Sequence, residues 1–107
     1  MMKHMSLAEI ATACGGTYVG DDSLKTVEVN GVVIDSRKVE PGYLFVAVKG
    51  ERVDGHTFIP SVFAKGAACV LCEDAPEHPA GPYIQVASTL EALKDLAAYY
   101  RTTLTIP

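Results

Sequence analysis

The sequence predicts an α/β fold: a single small domain in which a mixed β-sheet is flanked by helices. The chain has 107 residues, of which 49% are hydrophobic and 21% charged, and this suits one domain with one modest core. Segments with apolar residues at helical spacing alternate with short β-branched runs, as in proteins whose helices cover a sheet. One run, Tyr43–Val48, is apolar throughout and indicates a strand buried on both faces.

The first helix has a start signal and a stop signal. Ser6 and Glu9 have the spacing of a capping box, and apolar residues at helical spacing follow them. Gly15-Gly16 predicts the end of this helix, because glycine tolerates the left-handed conformation. A short strand is expected at Thr17–Val19, followed by the turn Gly20–Ser23.

Two β-branched runs precede the buried strand. Thr26–Asn30 and Val32–Ile34 lie on either side of Gly31, and the pattern predicts one strand with a kink or bulge at that glycine. Pro41-Gly42 then predicts a turn before the strand at Tyr43–Val48.

The second half predicts strand, helix and strand again. Thr57 is the expected cap of a helix over Phe58–Lys65, which stops at Gly66. Strands are expected at Ala67–Cys72 and Tyr83–Val86, with a proline-rich surface loop between them.

A final helix is expected to begin at Ser88 or Thr89. Its predicted apolar face consists of Leu90, Leu93, Leu96, Ala97 and Tyr100. The last residues, Leu104–Pro107, have the composition of an incipient strand and suggest that the sequence is truncated there. Residues 1–4, which begin with two methionines, are interpreted as start-site or cloning residues that precede the domain.

Composition excludes several function classes. The net charge of −4 and the lack of a basic block give no electrostatic attraction for nucleic acid. No apolar run reaches the roughly 20 residues of a membrane helix, so no membrane partner is expected. Three cysteines without an export signal suggest reduced thiols and a cytoplasmic protein.

Two loops are the candidate ligand-binding segments. Asp35-Ser36-Arg37 follows one strand, and Gly50–His56 follows the buried strand, so both can lie at the edge where α/β sheets bind ligands. A serine hydroxyl, nearby amides and Arg37 suit phosphate or pyrimidine oxygens. For each loop a structural alternative stays open. In the first, Asp35 or Arg37 would hold the loop through a structural ion pair; in the second, the glycines would serve only the turn and His56 would only precede or cap the helix.

Other chemistry lacks support in the sequence. Cys69 and Cys72 have C-x-x-C spacing, but residues three apart on a strand point to opposite faces, and no second pair completes a zinc site. The scattered histidines His4, His56 and His78 predict no metal site. A G-x-x-x-x-G-K-[ST] phosphate loop is absent, so this segment alone has no evident means of activating ATP.

The stretch from Val33 to Ile59, VIDSRKVEPGYLFVAVKGERVDGHTFI, resembles the N-terminal domains of Mur ligases, as does GAACVL at Gly66–Leu71. The resemblance covers about residues 5–107. The opening SLAEIATACGG, the form KGERVDGHTFI and the ending LEALKDLAAYYRTTLTIP are most similar to the MurF type, with the MurE type a close second. Tyr43 stands where the family more often has Asp, Asn or Cys, with little expected consequence for binding.

The resemblance implies a substrate-binding domain that is not catalytic alone. Ile34 and Ser36, and with them Arg37, match positions at the UDP moiety of the substrate, and Glu51, Arg52 and Val53 match the loop that flanks the uridine. The residues expected as site scaffold are Asp35, Gly50, Asp54, Gly55 and His56.

The full MurF-type enzyme, by the same resemblance, adds D-alanyl-D-alanine to UDP-N-acetylmuramoyl-tripeptide. Its ATP and Mg²⁺ belong to a central domain, and that domain and the C-terminal one are expected to be absent from these 107 residues. A MurE-type ligase would add the third amino acid to UDP-N-acetylmuramoyl-dipeptide. A non-catalytic interaction module and a small enzyme that uses Cys69 or Cys72 are the competing hypotheses.

Overall fold

A five-stranded mixed sheet forms the centre of the molecule. The computed structural model describes residues 5–49, 54–76 and 79–103. Its strands are β1 (Met5–Ser6), β2 (Thr17–Val19), β3 (Glu28–Val29), β4 (Gly31–Val33), β5 (Tyr43–Val46), β6 (Cys69–Cys72) and β7 (Tyr83–Gln85), and its helices are α1 (Leu7–Cys14), α2 (Ile59–Ala64) and α3 (Thr89–Thr103). The main sheet has the order β2-β7-β6-β5-β4, in which β4 to β7 are parallel and β2 is antiparallel to β7. The predicted mixed α/β fold is confirmed.

The sheet separates two apolar clusters because successive strand residues point to opposite faces. Helices α1 and α3 cover one face, where they pack on residues such as Leu44, Leu71 and Ile84. Helix α2 covers the other face and packs on Phe45 and Val70. Strand β5 lies between parallel neighbours, and its Leu44, Phe45 and Val46 have no exposed surface, as the apolar run predicts.

The start and end of α1 follow the predicted signals. The Ser6 hydroxyl accepts the backbone N–H of Glu9, and the Glu9 carboxylate accepts the backbone N–H of Ser6, so the capping box is present. Gly15 ends the helix in the left-handed region with φ of 65°.

The kinked strand predicted around Gly31 is wrong, because the segment contains two strands that belong to different sheets. Strand β3 pairs with β1 in a separate two-stranded antiparallel sheet, whereas β4 forms the edge of the main sheet. The chain changes sheets at Asn30, whose backbone N–H donates to the Gly42 carbonyl. A β-branched pattern gives strand propensity but carries no information about which strand is the partner.

Two details of the later helices also differ from the prediction. Thr57 does not cap α2; it lies in a 3-10 turn, Gly55–Phe58, that Asp54 caps and that precedes the helix. Among the described side chains of α3, Thr89, Ala92 and Leu96 are buried, while Leu90 is 54% exposed and Ala97 is exposed. The buried face therefore includes Leu96 as predicted but contains Thr89 and Ala92 in place of Leu90 and Ala97. At Ala92 the helix contacts α1, where the Cys14 thiol donates to the Ala92 carbonyl.

In the part of the chain that the structure describes, none of the helices combines the length and the apolar character needed to cross a membrane. The strand predicted at Leu104–Pro107 lies outside the described residues. Tyr100, predicted on the apolar face of the last helix, is within α3, but its side chain is outside the described part of the structure.

Candidate functional site

A cavity of about 480 Å³ lies beyond the carboxyl ends of β4 and β5. These two strands are parallel neighbours, so the loops that follow them leave the sheet at the same edge. The cavity is lined by Ile34, Asp35, Ser36, Arg37, Val48, Gly55 and Phe58. The two candidate loops from the sequence therefore meet in one cavity.

The first loop is fixed by Asp35. Its Oδ1 accepts the backbone N–H of Arg37 at 2.9 Å and thereby caps a 3-10 turn over Ser36–Lys38. The Arg37 guanidinium donates to both carboxylate oxygens, with Nε–Oδ1 at 3.1 Å and Nη2–Oδ2 at 2.9 Å. These hydrogen bonds lower the pKa of Asp35 to about 2. The structural ion pair left open above is present, between Asp35 and Arg37, and it holds this loop.

Arg37 keeps hydrogen-bonding capacity in spite of this pair. The guanidinium has five N–H donors, of which two are used by Asp35. Its side chain is 86% exposed and lines the cavity, so the remaining donors can reach a ligand.

The side chains of Ser36 and Ile34 both line the cavity. Within the described residues the Ser36 hydroxyl has no hydrogen-bond partner, although the Ser36 carbonyl accepts from the Lys65 ammonium at 2.8 Å. Ile34, the residue that follows β4, is 57% exposed and lines the cavity. Both positions are those that the resemblance assigns to ligand contact.

The second loop repeats the arrangement of the first. Asp54 Oδ1 accepts the backbone N–H of His56 at 2.9 Å and is paired with the His56 ring at Nδ1, 2.6 Å away. The backbone hydrogen bond from His56 is the main reason that the pKa of Asp54 is lowered. Gly55 lines the cavity, whereas Gly50, Glu51, Arg52 and Val53 lie outside the described residues.

Gly55 must be glycine because the backbone just after β5, at Ala47 and Val48, passes close to it. Its N–H donates to the Val48 carbonyl at 2.9 Å. A Cβ at this position would lie 2.9 Å from the Val48 nitrogen and 3.1 Å from Ala47 Cα, closer than backbone atoms tolerate. The glycine therefore serves a close approach that forms one wall of the cavity.

His56 connects this loop to the end of β6. Its Nε2 accepts the backbone N–H of Glu73 at 2.9 Å and that of Asp74 at 3.2 Å. The Glu73 carboxylate in turn accepts the N–H and the hydroxyl of Thr89 at the start of α3, and these bonds lower its pKa. Lys49 forms an ion pair with Asp74 at 2.9 Å.

Potential metal-ligand atoms of Asp54, His56 and Asp74 lie within 4.8 Å of one another. Both nitrogens of His56 are engaged, one with Asp54 and the other with two backbone N–H groups. A metal ion would have to displace one of these hydrogen bonds, so the contacts favour a hydrogen-bonded network.

Cys69 and Cys72 are core residues on opposite faces of the sheet, as their spacing predicts. Cys69 belongs to the cluster under α1 and α3, and Cys72 to the cluster under α2. Burial raises the pKa of Cys69 to about 12 and that of Cys72 to about 11, which leaves almost no thiolate at neutral pH. These thiols are unsuited to nucleophilic catalysis.

Three residues near the cavity were not singled out from the sequence. Val48 and Phe58 line it, and the Lys65 ammonium contacts the loop at Ser36. Phe58, predicted as the first residue of a helix, lies in the 3-10 turn that precedes α2 and is 37% exposed. Lys65 is 29 residues away from Ser36 in sequence, and no local pattern relates the two.

Comparison with known proteins assigns the chain to a family. Residues 28–101 match the family model described as Mur ligase family, catalytic domain. The UDP-N-acetylmuramoyl-L-alanyl-D-glutamate–2,6-diaminopimelate ligase of Bacteroides thetaiotaomicron, a MurE-type enzyme, is 43% identical over 90% of this chain and 20% of the relative. The UDP-N-acetylmuramoyl-tripeptide–D-alanyl-D-alanine ligase of Bacillus subtilis, a MurF-type enzyme, is 38% identical over 89% of this chain and 21% of the relative.

The fold matches as well. A crystal structure of MurF from Acinetobacter baumannii superposes with a TM-score of 0.86 and 30% identity, over 97% of this chain and 22% of that one. The chain thus spans about a fifth of the length of these relatives. It belongs to the Mur ligase family and corresponds to the N-terminal domain of those enzymes.

Proposed function

We propose that this domain, over residues 5–107, binds the UDP moiety of a UDP-N-acetylmuramoyl-peptide and so holds the substrate of a peptidoglycan-precursor ligase. The observation that carries the proposal is the cavity shared by the loops after β4 and β5. It joins an unpartnered serine hydroxyl, a guanidinium with spare donors and exposed apolar side chains. The domain also has three buried free thiols, which suit a reducing cytoplasm.

The chemistry of the cavity walls suits a uridine diphosphate. Ile34 and Phe58 offer apolar surface for the flat uracil ring, and the Ser36 hydroxyl can donate to a carbonyl or phosphate oxygen. The free N–H groups of Arg37 suit the diphosphate, because guanidinium donors match the geometry of phosphate oxygens. We place Glu51, Arg52 and Val53 beside the uridine on the strength of the family resemblance.

The full-length enzyme would be an ATP-dependent amide ligase. In the MurF-type reaction the muramoyl-tripeptide carboxylate becomes an acyl phosphate, and the amine of D-alanyl-D-alanine then attacks it. The residues for ATP and Mg²⁺ belong to the central domain, which is outside this segment. Anchoring the UDP end far from the reacting carboxylate helps to orient the substrate for that chemistry.

A MurE-type ligase is the second candidate, and the identity of 43% with the Bacteroides relative favours it. The MurF assignment is favoured by the match of the fold to a MurF crystal structure. The UDP site is common to both proposals. Activity of the full-length enzyme with UDP-N-acetylmuramoyl-dipeptide or with the tripeptide distinguishes them.

The first test is a calorimetric and NMR titration of this chain with UDP, UDP-N-acetylmuramoyl-tripeptide and ATP. Binding of the two uridine ligands but not ATP, with shifts at Ser36 and Gly55, is the expected result. Failure of both uridine ligands to bind would refute the proposed site in this domain.

The Ser36→Ala variant tests the placement of the ligand. Loss of one neutral hydrogen bond is expected to weaken uridine-ligand binding roughly two- to tenfold without unfolding the domain. Ser61→Ala is the matched control, because Ser61 is exposed on α2 and does not line the cavity. Equal affinity of wild type and Ser36→Ala would remove Ser36 from the site.

A further inference from the structure

His56 does not line the cavity, yet its side chain is only 10% exposed and both of its ring nitrogens are in hydrogen bonds. Nδ1 lies 2.6 Å from the Asp54 carboxylate. Nε2 lies 2.9 Å from the Glu73 nitrogen and 3.2 Å from the Asp74 nitrogen, both of which carry backbone N–H groups. The ring therefore joins the loop after β5 to the segment after β6.

These partners determine which nitrogen carries the proton. A backbone N–H can only donate, so Nε2 has to be the acceptor and must be unprotonated. The neutral ring then has its proton on Nδ1, where it is donated to the Asp54 carboxylate. A histidine that merely filled space in the core would have no such requirement.

The same network fixes both ends of the connection between Lys49 and Asp54. These two residues form an isolated antiparallel β-bridge. The Lys49 ammonium is bound to the Asp74 carboxylate at 2.9 Å, and Asp54 is bound through His56 to the backbone of Glu73 and Asp74. Both ends are thus attached to one short segment at the carboxyl end of β6.

Gly55, between Asp54 and His56, forms a wall of the cavity. It packs against Val48 with no room for a side chain, and the Gly55 N–H donates to the Val48 carbonyl. A small displacement of the Asp54–His56 segment would therefore move this wall relative to Ser36.

We propose that His56 is a positioning residue: by donating to Asp54 and accepting from the Glu73 and Asp74 amides, it holds the Gly55 wall in the position that the ligand requires. This inference rests on the proposed function for the identity of the ligand.

The first experiment determines which ring nitrogen of His56 carries the proton. A long-range ¹H–¹⁵N correlation spectrum of the ligand-free chain, at a pH where His56 is neutral, should show a protonated Nδ1 and a bare Nε2. The opposite tautomer would overturn the proposal, because Nε2–H cannot accept from Glu73.

Two substitutions of His56 then distinguish the hydrogen bond at Nδ1 from the hydrogen bonds at Nε2. His56→Gln keeps an oxygen near the place of Nε2, so it can still accept the Glu73 N–H. His56→Asn places its amide near Nδ1 only and leaves the Glu73 and Asp74 amides without an acceptor. Both remove the imidazole ring, so a role confined to packing would affect them alike.

The expected result is that His56→Asn weakens UDP binding by about tenfold while His56→Gln stays within about threefold of wild type. The backbone amide resonances of Val48 and Gly55 should move in the ligand-free Asn variant and much less in the Gln variant. Equal UDP affinity and unmoved Gly55 resonances in both variants would refute the positioning role. Circular dichroism and a urea unfolding curve for each variant establish that folded proteins are compared.

The experiments distinguish failure of the proposed UDP site from failure of the proposed role of His56. If wild type does not bind UDP, the UDP site is wrong, while the tautomer and the Val48 and Gly55 resonances still decide whether His56 sets the position of this wall. If wild type binds UDP and both variants bind equally well, the UDP site stands and the positioning role fails.

Discussion

An aspartate caps a 3-10 turn in each of the two loops that reach the cavity. Asp35 and Asp54 both accept the backbone N–H of the residue two positions later and pair with the side chain of that same residue. Asp21 caps a third 3-10 turn in the same way through Ser23. These side chains satisfy backbone donors that the strand ends would otherwise leave free.

At this scale the sequence predicted residues that the structure places at one cavity, but it did not predict which of them support the loops and which are available to a ligand. Ser36, Ile34 and Gly55 line the cavity as expected from two loops at one sheet edge. Whether Asp35 contacts ligand or supports the loop depends on where Arg37 points, and spacing does not determine that. The Lys65–Ser36 contact depends on the packing of α2 and has no local pattern.

The pH dependence of Asp35 follows from its hydrogen bonds. Its pKa is lowered from 3.8 to about 2, chiefly by the Arg37 side chain and next by the Arg37 backbone. Since the folded pKa is below the ordinary one, the stabilising contribution of this pair is complete above about pH 4 and is lost as the pH falls through about 2.

A ¹³C NMR titration of the Asp35 carboxyl tests this account. Arg37→Ala should raise the pKa of Asp35, yet leave it below 3.8 because the backbone N–H of residue 37 still donates. Lys38→Ala, the control, should change it little, since Lys38 makes the smallest contribution. A pKa of Asp35 near 3.8 in the wild-type protein would contradict the ion pair.

Among the elements, β5 determines the architecture. It is the strand from which the second loop departs, and it pairs with β4 and β6 in parallel. Its apolar run identified it from the sequence, because only a strand covered on both faces lacks polar alternation. The pairing of the short strands β1 and β3 could not be predicted, since β1 contains no β-branched residue and β3 contains only Val29, so neither carries a strand pattern.

Leu44→Ala tests the central position of β5. The side chain is fully buried under α1 and α3, so its truncation should lower the free energy of unfolding by roughly 2–5 kcal/mol in urea denaturation. Val32→Ala on β4 is the control: Val32 is 41% exposed on the sheet edge, and a change of about 0.5 kcal/mol or less is expected. Similar losses for the two variants would mean that β5 is not central.

At the scale of the whole molecule, the described residues form two apolar clusters, one on each side of the main sheet, and the thiols are distributed between them. Cys14 and Cys69 lie in one cluster and Cys72 in the other. The alternation of side chains along β6 predicted this separation. The face that α3 buries was not fully predictable from its own periodicity, because it depends on the packing of the helix against α1.

Thiol reactivity should therefore report global unfolding. Burial raises the pKa of Cys14 and Cys72 to about 11 and that of Cys69 to about 12. A thiol reagent such as DTNB at pH 8 should label the folded chain far more slowly than the denatured chain, in which all three thiols react. Labelling of one thiol at the rate of free cysteine, assigned with single Cys→Ser variants, would contradict the buried placement and revive the hypothesis of a cysteine enzyme.

The contact between Gly31 and Tyr43 has a consequence for how this family can diverge. The two residues are directly opposite each other on β4 and β5, and a Cβ at position 31 would lie 2.9 Å from the Cζ atom of the Tyr43 ring. A side chain at position 31 therefore requires that the Tyr43 ring turn aside or that a smaller residue stand at position 43. Across the family, side chains at position 31 should accompany smaller residues at position 43, so the two positions are expected to covary.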